Sequence, residues 1–117
     1  MLIDTHTHLY VEEFDTDRTQ VITRAMEAGV LQFVLPAIDS ETTDAMHALK
    51  REYPKNMYLM MGLHPTHVGK NVAEELEHVY TQLQQHQFVA VGEIGMDLYW
   101  DQTYREAQQQ AFAQQIA

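Results

Sequence analysis

The sequence predicts an α/β chain of parallel βα repeats, and three observations carry that prediction. Short apolar runs recur near residues 2–5, 31–38, 57–63 and 88–94, roughly 30 residues apart, the size of a βαβ unit. Segments with helical spacing lie between and after them. The runs VLQFVLPAI and MYLMMGL are nearly continuous, as expected of parallel strands buried on both faces. Four such units make an open four-stranded parallel sheet or half of a TIM (β/α)8 barrel, which needs about 250 residues.

Each helix can be justified in order. About residues 16–28 place Val21, Ile22, Ala25 and Met26 on one face, and Gly29 follows as a C-cap. Ser40 to Tyr53 has Ser40 as its cap, Ala45, Met46 and Leu49 on one face, and Pro54 as its stop. The third helix, about Asn71 to Gln87, turns Val72, Leu76, Val79, Tyr80 and Leu83 inward. The fourth begins near Asp101 or Gln102, with Ala111, Phe112 and Ile116 as its apolar face. Its glutamine-rich stretch, Gln108 to Gln115, reads as helix. No cap, glycine or proline follows Ile116. The expectation is one partial barrel domain over residues 1–117, truncated in or after the fourth helix.

Composition narrows the function classes. Seven Lys and Arg against seventeen Asp and Glu give a net charge of −10, which argues against general nucleic-acid binding by a basic face. Phosphates can still be met through bound cations, which supply the positive charge locally. No cysteine is present, which removes disulfides and thiolate ligands and suits a reducing cytoplasm. No run reaches the roughly 18 apolar residues of a membrane span, and MLIDTHTHLY lacks the layout of a signal peptide. No P-loop, GxGxxG, GxSxG or HExxH is found.

What remains is a set of polar groups at strand ends. In Asp4-Thr5-His6-Thr7-His8, strand alternation puts Asp4, His6 and His8 on one side. Two neutral imidazoles there can grip one divalent cation, with Asp4 orienting a ligand from behind. A pair of solvated surface histidines is the plainer alternative. Glu93 follows Val89, Ala90 and Val91. A carboxylate there is costly to bury unless it is paired or binds metal, and a strand-end salt bridge is its plainer reading. Gly92 and Gly95 flank it where something approaches the backbone closely. Asp97 is a loop cap or a positioning group. His64, in GLHP, contacts substrate at the same rim or bonds to backbone. His47, His78 and His86 read as solvated, His67 as a weak metal signal, and Met60 and Met61 as core filling.

Taken together, IDTHTHL, GLHP and GEIGMDLYWD resemble, in order and spacing, the TatD family of metal-dependent deoxyribonucleases, and the likeness runs over essentially the whole chain. GEIG is the more specific of these motifs. The resemblance implies a (β/α)8 barrel and a phosphodiesterase that hydrolyses DNA ends with two Mg²⁺, Mn²⁺ or Zn²⁺ ions per complete site. It implies His6 and His8 as first-strand metal ligands, Glu93 as the carboxylate bridging the ions, and His64 at the substrate-facing rim. The family's two later histidines and its aspartate have no counterpart here. Within the nuclease reading, self-association through the two open sheet edges would bring a second HxH pair to the site. Two other readings compete. One is a non-catalytic fragment with a structural or partner-dependent role. The other is an amidohydrolase-like enzyme acting on C–N or lactone bonds, which HxH permits and GEIG argues against.

Overall fold

The computed structural model describes all residues, 1–117. Four strands, β1 (Leu2–Asp4), β2 (Val30–Leu35), β3 (Met57–Met61) and β4 (Ala90–Val91), alternate with α1 (Arg18–Glu27), α2 (Thr43–Glu52), α3 (Val72–Gln85) and α4 (Arg105–Ile116). The sheet order is β1-β2-β3-β4 and every pairing is parallel. The result is a curled half-barrel with helices on its outer side. Short 3-10 turns at Glu12–Phe14, Ser40–Thr42 and Pro65–His67 lie in the loops after the first three strands.

Helix termini follow local chemistry. Gly29 adopts φ +99° just past α1, a conformation that glycine reaches without a Cβ penalty. The second helical segment is headed by Asp39 instead of Ser40, since the Asp39 carboxylate accepts from the Thr42 amide. Ser40 is engaged elsewhere: its N–H and hydroxyl both donate to the Glu75 carboxylate, at 2.9 and 2.6 Å. α4 starts later than the spacing predicts because Asp101 organises a turn first, accepting from the amide and hydroxyl of Thr103.

The core lies between sheet and helices. Phe33, Leu35, Met57, Leu59 and Met61 are buried there with Ile22, Met46, Leu49, Val79 and Ala111. The alternate residues, Val34, Tyr58 and Met60, are only partly covered, and Ile3 is half exposed. The expectation of strands buried on both faces therefore fails: only the helix side is covered within this chain. Ala45 and Tyr80, expected inward, are exposed. His47 and His78 are half-buried, not solvated: His47 pairs with Gln82 and His78 with Thr43, each at 2.8 Å.

At the carboxyl end of the strands the sheet curls further. Ala37, just past β2, donates to the Gly92 carbonyl (2.9 Å) and accepts from the Glu93 amide (3.2 Å). The chain leaving β4 thus reaches across the end of β3 to bond the chain leaving β2. Gly62 permits the crossing. A Cβ there would meet the Gly92 carbonyl carbon at 3.0 Å and Ile94 Cγ2 at 2.9 Å.

Candidate metal centre

The crossing carries Glu93 over to the first strand's histidines. His6 and His8 lie beyond the last residue of β1, in the bend that follows it, so strand alternation is not what aligns them. Their Nε2 atoms are nonetheless 3.2 Å apart. Glu93 Oε2 stands 3.1 Å from His6 Nε2 and 3.4 Å from His8 Nε2, while Glu93 Oε1 is 3.1 Å from His64 Nε2. Ligand atoms of His6, His8 and Glu93 all fall within 4.8 Å of one another. Two imidazole nitrogens and a carboxylate oxygen so placed suit a divalent cation. Glu93 keeps 28% of its side-chain surface exposed, so the cluster is open to ions and substrate.

The hydrogen bonds behind the histidines set their proton positions. The Tyr10 hydroxyl donates to the Pro36 carbonyl. Its oxygen is then left to accept from His8 Nδ1, 3.0 Å away. With the proton on Nδ1, neutral His8 presents a bare Nε2 lone pair to the cluster, the form a metal requires. Burial pushes the His8 pKa down and the neighbouring His6 adds to this, with Glu93 opposing, so the ring is held neutral. Burial also pushes Tyr10 well above the ordinary tyrosine value, helped by the charges of Asp39 and Glu93. The phenol therefore keeps its proton.

His64 is arranged the opposite way. Its Nδ1 accepts from the Thr66 amide at 3.1 Å, which leaves the proton on Nε2, directed at Glu93 Oε1. The backbone bond, one of the two alternatives for this residue, is thus present, and the ring stands against Glu93. His64 ties down one carboxylate oxygen and leaves Oε2 facing His6 and His8.

Asp4 meets this group through the backbone: its Oδ1 accepts from the His6 amide at 3.1 Å. Asp97 Oδ1 accepts from the Tyr99 amide, and its own amide and carbonyl are both held by Gln108, at 2.8 and 2.9 Å. That is the loop-cap arrangement. His67 faces Asp39 at 3.6 Å and lies outside the cluster. Two contributors escaped the sequence reading. Tyr10 follows the HxH motif by two residues, and its signal was only that spacing. Arg18 pins the loop after His8 by donating to the carbonyls of Leu9 (2.7 Å) and Val11 (2.8 Å); nothing in the sequence marked it.

Comparison with known proteins agrees with this architecture. The family model "TatD related DNase" matches residues 3–117. The metal-dependent hydrolase YabD of Bacillus subtilis is 34% identical over all of this chain and 46% of its own length. The 3'-5' ssDNA/RNA exonuclease TatD of Yersinia pseudotuberculosis is 30% identical over 99% of this chain and 45% of its own. The crystal structure of YjjV, a TatD homolog from Escherichia coli, superposes with a TM-score of 0.88 at 35% identity, covering 98% of this chain and 45% of that one. The chain spans a little under half the length of these relatives, and it belongs to the TatD-related DNase family.

Proposed function

We propose that the chain contributes the His6–His8–Glu93 part of a metal-dependent phosphodiesterase site acting on the ends of single-stranded nucleic acid. The observation that carries the proposal is the convergence of His6 Nε2, His8 Nε2 and Glu93 Oε2, with His8 bare at Nε2 because Tyr10 holds its other nitrogen. The name of the Yersinia relative, a 3'-5' ssDNA/RNA exonuclease, supports the choice of substrate. Two Mg²⁺, Mn²⁺ or Zn²⁺ ions at a complete site would supply a water of lowered pKa and a clamp on the phosphate oxygens.

This chain's own residues do the rest. His6 and His8 present their Nε2 atoms, Glu93 turns Oε2 toward them, and His64 fixes Glu93 through Oε1. The net charge of −10 makes bound cations the means by which a phosphate approaches.

Titration calorimetry with Mn²⁺ and Zn²⁺, beside a single-stranded DNA cleavage assay with an EDTA control, tests the reading. Glu93→Ala should weaken metal binding at least about tenfold with circular dichroism unchanged, and should abolish EDTA-sensitive cleavage. Metal affinity indifferent to Glu93→Ala would sink the site. Metal binding lost with Glu93→Ala, but with no cleavage by the wild-type chain, would favour the scaffold reading. The incomplete cover of the inner sheet face is the observation on that side. Turnover of a C–N or lactone panel without DNA cleavage would favour the amidohydrolase-like one.

A further inference from the structure

The loop from Gly92 to Tyr104 carries Glu93 at one end and two displayed aromatic rings further on. Tyr99 is 83% and Trp100 80% exposed, far more than large aromatics usually are. Their rings stand edge to face, centroids 4.7 Å apart. The loop bearing them is held in place. Buried Gln108 grips both backbone groups of Asp97, Asp97 caps Tyr99, and Asp101 accepts from the amide and hydroxyl of Thr103.

Trp100 also forms part of the wall of a cavity of about 280 Å³, with His67, Asp97, Asp101, Tyr104 and Gln108. That cavity adjoins the candidate metal centre: the His67 ring lies 5.8 Å from the His64 ring, and His64 touches Glu93.

We propose that the Trp100 indole, braced by Tyr99, is a stacking platform for a nucleobase, with the attached phosphate directed toward the His6–His8–Glu93 cluster. The chemistry of the cavity selects this occupant. Asp97 and Asp101 repel a phosphate, whereas carboxylates accept hydrogen bonds from the ring and exocyclic N–H groups of a base. An exposed indole binds the face of any base, so recognition is tolerant of sequence and requires an unpaired strand. The inference rests on the hydrolase reading for the phosphate half of the ligand only.

Trp100 is the only tryptophan in the chain, so its emission reports on this position alone. Titrate the protein, with Mg²⁺ and separately with EDTA, with a short oligothymidylate carrying non-cleavable phosphorothioate linkages. Run an abasic strand with the same linkages beside it. The expected result is saturable quenching by the oligothymidylate with Mg²⁺ and little by the abasic strand. Tyr99→Ala should weaken binding on the order of tenfold, within the range of one stacked base. Equal quenching by both strands, or intact metal-dependent cleavage with no response from Trp100, would overturn the platform. Base-dependent quenching in a protein that cleaves nothing would leave the platform standing and remove the hydrolase reading.

Discussion

At the scale of single residues, the proton of Tyr10 decides what His8 offers. Because the phenol donates to Pro36 O, His8 Nδ1 carries its own proton and Nε2 is free for a ligand. Tyr10→Phe removes that relay, so metal affinity should fall about 10- to 100-fold, the usual cost of losing such an outer partner. Calorimetry on a folded variant measures it, and an unchanged affinity would show that Tyr10 only fills space. Asp101 offers a check by pH. Its hydrogen bonds from Thr103, side chain first and then backbone, hold its pKa below the ordinary 3.8. A depressed folded value means the turn's contribution is present above 3.8 and is lost as pH falls through the folded pKa. Carboxyl NMR should place the Asp101 midpoint below 3.8, and Thr103→Ala should move it back up. A midpoint already at the ordinary value would mean that the turn is not formed in solution.

At the scale of elements, α4 is fastened to the rim by two glutamines one heptad apart. Gln108 bonds the backbone of Asp97, and Gln115 Oε1 accepts from the Leu63 amide at 2.7 Å. Replacing buried Gln108 by Leu leaves two backbone groups unmet, which costs about 1–3 kcal/mol. It should also speed hydrogen exchange at the Asp97 amide before global unfolding sets in; exchange unchanged in the variant would show the clamp to be redundant. The crossing at Gly62 makes a second demand. A methyl there meets rigid backbone at 3.0 Å, so Gly62→Ala should destabilise by about 1–3 kcal/mol in urea unfolding. A loss below about 0.5 kcal/mol, ordinary for surface changes, would mean that the close approach is not fixed.

The first three helices were legible in the sequence because each carries an apolar stripe at its own period, as with Ile22 in α1 and Met46 and Leu49 in α2. By contrast, α4 buries Gln108 and Ala111, and Ile116, expected on its apolar face, is exposed. The strand ends were less so. β1 and β4 are edge strands with one neighbour each, and their ladders stop at Asp4 and Val91 short of the apolar run. The polar residues beyond, His6, His8 and Glu93, are placed by loop bonds that no periodicity encodes.

For the whole molecule, one-sided burial and charge set the behaviour. Only 22 of 117 residues are buried, because the inner face of the half-barrel is uncovered while the helix side is packed. No helix is long and apolar enough to cross a membrane. With net charge −10, binding of a short oligonucleotide should lack the steep loss with salt seen when many lysines and arginines release counterions. A plot of log affinity against log salt at fixed Mg²⁺ should be shallow. A steep negative slope would mean that lysines and arginines engage the backbone phosphates directly.

Composition and order alone determined the parallel βα architecture, the absence of thiol chemistry and the identity of the polar strand-end groups. These follow from periodicity and residue type, both of which are local. Only the tertiary structure decided that Glu93 meets His6 and His8, that His8 and His64 hold their protons on opposite nitrogens, and that Trp100 shares a cavity with His67, the neighbour of His64. The meeting of Glu93 with the histidines and the proton position of His8 depend on contacts between residues tens of positions apart: Ala37 with Gly92 and Glu93, and Tyr10 with Pro36. The curl of the sheet creates or orients such contacts, and no short window of sequence contains both partners.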